Sequence, residues 1–330
     1  MPVHVSRRSF LATAAAGATA SGALRATPDA PALIGITLDL EMSRNFPQWE
    51  TTHWDYEKGN LNHETKAYTV EACRRVKQRG GVLHCFSVGR VLEQEDVSWL
   101  KGIAKAGHPI GNHTYDHVNV KATTPAQVQF RFARAPWLLR GRKPADVIRD
   151  NIRLANTALR QRVGIQARGF RTPGGFHNAL SDRPDVRAML SREGFTWVSS
   201  KYPRHLMGKP GTPPSSAVLD SIEEAQGAAQ PFRYPDGLVE IPMSPISDIG
   251  AFRNGRWKLD DFLAAIARGV QWTIKRGGVF DFLGHPSCLY VTDPKFRTID
   301  LICDLVEKAG DRAQIVSLDD IARRVPPRDP

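Results

Sequence analysis

The chain has 330 residues, of which 41% are hydrophobic and 24% are charged. This composition is typical of a soluble globular protein with enough apolar material for one large core. The formal net charge is +11, but no block of Lys and Arg is interleaved with aromatic residues, so nucleic-acid binding is not expected. The basic balance favours contact with an acidic envelope or polymer, or is simply a solvated surface without a partner.

Residues 1–26 have the features of a targeting segment rather than of a fold. Arg7 and Arg8 precede a weakly apolar run of Ala, Gly and Thr, and small residues follow near Ala23 and Ala26. This order is typical of a Tat-type signal peptide. The run is too short and too weakly apolar for a stable membrane span. We therefore expect export to the periplasm or cell envelope.

The four cysteines lie inside apolar patterns and form no CxxC pair. This placement favours buried thiols over a zinc knuckle or a thioredoxin-like site. Pairing of these cysteines after export is the alternative.

After the leader, short apolar runs alternate with amphipathic helical patterns. The runs predict strands at residues 33–38, 82–88, 167–170, 195–198, 238–241, 278–283 and 313–316. The helical patterns cover residues 63–79, 93–106, 144–163, 182–193, 259–275 and 293–308, with a short last helix. Such alternation implies parallel strands with helical crossovers, and about seven repeats make an α/β barrel. Polar stretches at residues 43–62 and 200–237 are predicted as long loops.

Two pairs of residues near predicted strand ends are candidates for a metal site. Asp39 and Glu41 end the first strand and project towards the same side, although an ordinary polar strand end is the alternative. His113 and His117 are four residues apart, so one helical turn would aim both imidazoles at one ion. Thr114 stands where the zinc-protease motif HExxH needs its glutamate, so that motif is absent.

Further candidates lie close to the two histidines in the sequence or at the ends of later strands. Asp116 is either an outer partner of the histidines or solvent-facing, and His108 is predicted to be structural. Arg171 can pair with a carboxylate and keep it ionised. The turn with Gly174 and Gly175 lets backbone N–H groups approach a ligand; a plain surface turn is the alternative. Finally, His285 ends a late strand, where a packed core histidine is the alternative.

In order, these pieces resemble the polysaccharide deacetylase family, carbohydrate esterase family 4, which shares the NodB-homology domain. The resemblance covers residues 31–325 and rests on four motifs: Asp39-Leu-Glu41, His113-Thr-Tyr-Asp-His117, Arg171-Thr-Pro-Gly-Gly175 and Leu283-Gly-His285. Glu240-Ile-Pro242 is a further familiar strand end. The resemblance implies a distorted (β/α)7 barrel of the polysaccharide deacetylase type. It also implies one divalent metal ion, zinc in most relatives and cobalt, nickel or iron in others.

The resemblance also assigns roles. It makes Asp39 the base, steered by Arg171, and His285 the acid that protonates the departing amine. It makes His113, His117 and Glu41 the metal ligands, with Asp39 as the other candidate for the carboxylate ligand. A backbone N–H near Gly174 and Gly175 would stabilise the oxyanion.

Two features depart from the family pattern. Ser199 and Ser200 stand near the place where relatives carry an aspartate and a tryptophan that tune the catalytic histidine. The insertion at residues 46–62 contains Trp54, which would either stack on a sugar over the cleft or pack beneath the loop.

The leading hypothesis is an exported, metal-dependent hydrolase that removes N-acetyl groups from an amino-sugar glycan, either peptidoglycan or a chitin-like polymer. The first alternative is hydrolysis of another C–N bond, in a small amide or cyclic imide. The second is a carbohydrate-binding barrel without turnover.

Overall fold

The structure is a computed structural model that describes residues 30–46 and 57–327. The predicted signal at residues 1–26 and the candidate Trp54 lie outside the described residues. The strands are β1 Ala32–Leu40, β2 Leu83–Ser87, β3 Ile110–Asn112, β4 Gly169–Phe176, β5 Trp197–Lys201, β6 Phe232–Arg233, β7 Val239–Glu240, β8 Val279–Gly284 and β9 Ala313–Ile315. The α-helices are α1 His63–Gln78, α2 Ser98–Lys105, α3 Arg131–Arg134, α4 Pro144–Val163, α5 Pro184–Arg192, α6 Ser216–Ala225, α7 Leu259–Arg276, α8 Pro286–Thr292, α9 Arg297–Ala309 and α10 Leu318–Arg324.

The nine strands form one curled sheet in the order β6-β7-β5-β4-β3-β2-β1-β8, with β9 paired to β1. All pairs are parallel except β6 with β7. Beyond β7 the chain returns to β8, where Ser244 N donates to Asp281 O at 2.8 Å. Seven parallel strands, from β7 around to β8, therefore make the barrel wall. The predicted distorted (β/α)7 barrel is confirmed.

Residues of β1 alternate between the inside of the barrel and the surrounding helices. The outward set, Ala32, Ile34, Ile36, Leu38 and Leu40, joins the large hydrophobic core beneath the helices. Leu33 points inward and joins a second core at the base of the barrel, which α10 closes. Because side chains of a strand alternate with period two, Asp39 and Glu41 share the inward side with Leu33.

The base of the barrel is filled by a tryptophan that only a glycine neighbour can accommodate. Trp197 is completely buried, and a Cβ at Gly169 would lie 1.8 Å from its Cζ2 atom. Trp197 Nε1 donates to Asp319 Oδ1 at 2.8 Å, which ties β5 to the first turn of α10. A buried indole usually finds such a partner, because an unpaired N–H is costly.

Helix ends follow local capping chemistry. The Asn62 side chain accepts from Thr65 N at 2.9 Å and starts α1, a type of cap that contributes about 1 kcal/mol. Gly164 and Gly277, with φ of 81° and 61°, end α4 and α7 in the left-handed conformation, where glycine has no steric penalty.

Two helix predictions were wrong at their starts. A single helix at residues 93–106 was expected, but α2 begins only at Ser98, after a 3-10 turn at Gly89–Glu93. The helix expected at residues 293–308 begins at Arg297 and is preceded by α8, which was not predicted. Asp293 causes this break, because its carboxylate accepts from the backbone N–H groups of Arg297 and Thr298 at 2.9 and 2.7 Å.

The stretch at residues 200–237 is not only loop. It contains α6, which Ser215 caps by accepting from Val218 N at 3.4 Å, and the short edge strand β6. The strand expected at residues 167–170 also continues through the Pro-Gly-Gly sequence to Phe176 as β4, with an irregular register after Arg171.

All four cysteines are buried free thiols, as predicted. Within the described part of the chain, no helix combines the length and apolar character needed to cross a bilayer.

Candidate active site

Three side chains from two strand ends converge inside the mouth of the barrel. His117 Nε2 lies 2.5 Å and His113 Nε2 lies 3.9 Å from the same Glu41 oxygen, Oε2. All three residues are buried, and one ligand atom from each lies within 4.8 Å of the others. Two imidazole nitrogens and one carboxylate oxygen at such separations are a donor set that suits a divalent transition metal.

The two histidines are brought together by an irregular turn, not by the predicted helical turn. Residues 113–117 contain no helix, and Thr114 and His117 adopt φ of 57° and 55°. The Thr114 hydroxyl accepts from Val118 N at 3.0 Å, and the Thr114 backbone N–H donates to Asn112 Oδ1 at 2.8 Å. These bonds hold two non-glycine residues in the left-handed region, which is typical of functional sites.

Both imidazoles are in the form that can bind a metal. His113 Nδ1 lies 2.9 Å from the carbonyl oxygen of Arg171; since a carbonyl only accepts, Nδ1 carries the proton and Nε2 keeps its lone pair. Burial lowers the pKa of His113 well below its ordinary value. Burial also lowers the pKa of His117, against the opposing effect of Glu41. Both rings are therefore neutral at neutral pH.

Glu41 is ionised and held by a buried lysine. Burial by itself raises its pKa, but His117 and the Lys58 ammonium outweigh burial and hold that pKa well below its ordinary value. Lys58 Nζ lies 2.9 Å from Glu41 Oε1, and its side chain is also buried. The other oxygen, Oε2, is buried and makes no well-formed hydrogen bond, although His117 Nε2 lies 2.5 Å away. A cation between Oε2 and the histidine nitrogens would satisfy it, so the residues present fit a metal ion.

Asp39 lies beside this cluster and is paired with Arg171. Arg171 Nη1 lies 3.2 Å from Asp39 Oδ1, and His113 Nε2 lies 3.7 Å from Asp39 Oδ2. Arg171 Nη2 contacts Asp281 Oδ2 at 2.5 Å, so one guanidinium serves two buried carboxyl groups. Burial raises the pKa of Asp39 to about 6 and that of Asp281 to about 7, although Arg171 lowers both.

His285 is held by a carboxylate from the segment after β7. Its ring Nδ1 lies 2.9 Å from Asp248 Oδ1, and its backbone N–H donates to Asp248 Oδ2 at 2.6 Å. Burial by itself lowers the pKa of His285, but Asp248 outweighs burial and raises it. The Nε2 atom lies on the cleft side, 3.8 Å from Glu41 Oε1. This arrangement suits a proton donor.

Asp248 is the acidic partner of His285, which the sequence motifs did not identify. Ser199, which stands near the position where relatives carry an aspartate, contacts Arg171 with its hydroxyl at 3.2 and 3.3 Å. Asp248 comes instead from the chain between β7 and α7 and is completely buried. Glu240, the familiar strand end, accepts from Tyr234 and from the Ser200 hydroxyl at 2.7 Å each and has a structural position.

A cleft of about 550 Å³ lies at the carboxyl ends of the strands and is lined by Asp39, Glu41, His113, His117 and His285. Gly174 and Gly175 form part of its wall. Gly174 has a φ of 76°, and a Cβ at Gly175 would lie 2.6 Å from Tyr202 Cβ. The two glycines therefore provide backbone where a side chain would be strained or would clash.

The candidates that the structure describes are brought together at this mouth: Asp39, Glu41, His113, His117, Arg171, Gly174, Gly175 and His285. Asp116 does not contact the histidines through an ion pair but pairs with Arg90 and Arg131 at 3.3 and 3.0 Å. His108 is structural, as predicted, because its Nδ1 accepts from Leu83 N at 2.9 Å.

Sequence reasoning missed Lys58, Asp248 and Asp281. The only local signal among them is an aspartate between Phe280 and Phe282 in an apolar strand.

The sequence model of the polysaccharide deacetylase family matches residues 54–190. This stretch contains both histidines of the cluster and the Arg171 motif, whereas Asp39, Glu41 and His285 lie outside it. The match agrees with the resemblance to the polysaccharide deacetylase family that the motifs carry, and that resemblance is confirmed. The coarse activity that this match supports is that of a deacetylase, a hydrolase acting on a carbon–nitrogen bond.

Solved structures show the same fold at low identity. A Mycobacterium smegmatis protein bearing the polysaccharide deacetylase name is 17% identical with a TM-score of 0.57, over 92% of this chain and 98% of that one. A PuuE allantoinase and a Pseudomonas aeruginosa PAO1 protein with the polysaccharide deacetylase name are each 14% identical with a TM-score of 0.57, over 88% of this chain and 89% of theirs. No curated protein sequence matches the chain.

Proposed function

We propose that the chain is a metal-dependent hydrolase that removes N-acetyl groups from an amino-sugar glycan, either peptidoglycan or a chitin-like polymer. The observation that carries the proposal is the meeting of three sets of side chains in one cleft. These are a Glu41–His113–His117 donor set, a carboxyl group held by Arg171, and a histidine held by Asp248.

Glu41, His113 and His117 would hold one divalent ion, with zinc as the leading candidate and cobalt, nickel or iron as alternatives. When bound, such an ion supplies Lewis-acid polarisation of an amide carbonyl and makes water easier to deprotonate. The ionised carboxylate and the two neutral rings are the protonation states that this role requires.

The protein's own side chains divide the proton transfers between them. Asp39 is the base, since Arg171 favours its ionised form and its pKa of about 6 lies near the working pH. His285 is the acid, because Asp248 raises its pKa and fixes the proton on Nδ1, so that Nε2 gives its proton to the departing amine. A backbone N–H near Gly174 and Gly175 would stabilise the developing oxyanion.

The test is metal analysis coupled to acetate release from a panel of acetylated chito-oligosaccharides. We expect release that rises with metal content and stops on chelation. Ring opening of allantoin or cyclic imides without acetate release would instead favour the small-amide alternative, for which the allantoinase with the same fold is the precedent. Calorimetric sugar binding without acetate release under any metal would favour a non-catalytic barrel.

Export by the Tat route is part of the proposal and rests on residues 1–26. A double Arg7→Lys, Arg8→Lys variant should remain in the cytoplasm while wild type reaches the envelope, because the twin arginines are the recognised feature. Equal fractionation of variant and wild type would contradict this assignment.

A further inference from the structure

We propose that an anionic glycan strand docks on an exposed surface formed by Trp137, Arg140, Arg142 and Lys143, here called the basic face. The inference rests on the proposed function, because it places a polymeric substrate whose acetamido group enters the cleft. It adds that this polymer carries negative charge.

Charge on this part of the chain is strongly one-sided. Residues 131–143 contain five Lys and Arg residues, two aromatic residues among them and no Asp or Glu, in a chain whose net charge is +11. The expectation that no basic block is interleaved with aromatic residues is therefore wrong for this segment. Arg131 pairs with Asp116 at 3.0 Å, and Arg142 pairs with Asp150. Arg140 and Lys143 are exposed and make no ion pair with any described residue. These two cations are therefore available to a negatively charged partner.

An exposed aromatic ring lies among these charges. Trp137 is 68% exposed, and of the aromatic side chains in residues 30–46 and 57–327 it is the only one that is mostly in solvent. It lines a groove of about 670 Å³ with Arg140, Arg142 and Lys143. A solvated indole offers a wide flat apolar surface, against which the C–H face of a sugar ring can pack. The neighbouring cations can pair with the carboxylates of the glycan.

The basic face is connected to the wall of the cleft. Phe130 lines the cleft, with its ring 5.3 Å from that of His117, and directly precedes α3. Trp137 is seven positions after Phe130 in the chain, so their Cα atoms lie at most about 25 Å apart. The cleft rim also carries positive charge: among residues 30–46 and 57–327, the two charged side chains that line the cleft without being buried are Arg44 and Arg253. A polymer spanning cleft and groove would thus meet cations along its path.

A nucleic acid fits this surface less well. Proteins that bind single strands usually stack successive bases on several aromatic rings, whereas the basic face offers one. Binding to an anionic polymer should weaken with added salt, because the exposed charges are screened.

The test measures binding of the full-length chain to hyaluronan, which alternates N-acetylglucosamine with glucuronate, and to neutral glycol chitin. We expect at least about tenfold tighter binding of hyaluronan at low salt, with the difference shrinking as salt rises. Trp137→Ala should weaken hyaluronan binding about tenfold, the usual effect of losing a tryptophan anchor. A double Arg140→Ser, Lys143→Ser variant should weaken it and flatten the salt dependence.

The matched control is a double Lys105→Ser, Arg160→Ser variant. It removes the same charge from exposed sites outside the basic face and should bind hyaluronan like wild type. Equal affinity of wild type for the two polymers, unchanged binding by the basic-face variants, or tighter binding of single-stranded DNA would overturn the proposal. Hyaluronan binding without acetate release from any glycan would reject the proposed function and leave the docking surface standing. Acetate release from short oligosaccharides without polymer binding would do the reverse.

Discussion

At the base of the barrel β1 contributes Leu33, whereas at the mouth the same inward side contributes Asp39 and Glu41. The base packs Leu33 with Phe86, Trp197 and the apolar side of α10. Both ends are buried, but the mouth buries a cluster of carboxyl groups and histidines. At the base, the buried ionisable residue His84 packs against Phe86 and Trp197, and burial lowers its pKa to about 4. Burying a charge is costly unless it is paired, and each carboxyl group at the mouth contacts a cationic side chain or a histidine, with Asp39 and Asp281 sharing Arg171.

Those partners explain why the pKa values of two acids at the end of one strand are shifted in opposite directions. Asp39 shares Arg171 with a second carboxyl, Asp281, and burial prevails to raise its pKa to about 6. Glu41 has His117 and Lys58 to itself, and its pKa is held low. The end of one strand therefore presents the candidate base, whose pKa is raised, and the candidate metal ligand, whose pKa is lowered. If chemistry is confined to the mouth and packing to the base, substitutions at the two ends should have separable effects.

The largest expected effect is that of His113→Ala. Removal of this nitrogen donor should strip the metal and abolish activity with limited loss of fold, because His113 is a ligand candidate rather than part of the hydrophobic core. Metal content by mass spectrometry, activity and circular dichroism are the measurements. The control is His108→Ala, a buried histidine with a structural bond, which should lose stability but keep its metal. A metal-loaded, active His113→Ala protein would refute the ligand assignment.

Next in size is the effect of Asp39→Asn. The variant should keep its metal and lose turnover by about 100-fold or more, the usual contribution of a general base. Glu41→Gln is the matched variant and should lose the metal, since it replaces the carboxylate ligand. The reverse pattern, with metal lost only in Asp39→Asn, would make Asp39 the ligand and require another base.

Asp248→Asn should have an intermediate effect on rate and a distinctive effect on the pH profile. His285 must be protonated to act, so activity falls as pH rises through its pKa. Asp248 raises that pKa, so its neutral replacement should move the alkaline limb to lower pH. We expect a loss of roughly 10- to 100-fold in turnover at neutral pH, as for other carboxylates that orient a histidine at a metal site. An unchanged limb position would separate Asp248 from proton donation.

The fold and the two-histidine cluster could be predicted from sequence because their signals are local. Apolar runs identified the strands, and four short motifs identified the strand ends that meet at the mouth. The convergence of His113 and His117 was expected on a helix, yet it depends on positive φ at Thr114 and His117, which spacing does not reveal. Asp248 and Lys58 were not predicted, because their contacts to His285 and Glu41 span 37 and 17 residues and no local motif marks them. The Pro-, Gly- and Ser-rich composition near α6 hid a helix of ten residues.

The smallest expected effect lies at the base, in Asp319→Ala. This change removes the acceptor for the Trp197 indole N–H, 2.8 Å away, and should lower the free energy of unfolding by about 1 kcal/mol, the usual net value of one hydrogen bond. Asp319→Asn keeps an acceptor oxygen and should stay close to wild type. Chemical denaturation gives the stability of each variant, and steady-state kinetics should show kcat unchanged in both, because the base lies at the opposite end of the barrel from the cleft. A fall in kcat without a fall in stability would show that packing around Trp197 is coupled, through the strands, to the geometry of the mouth.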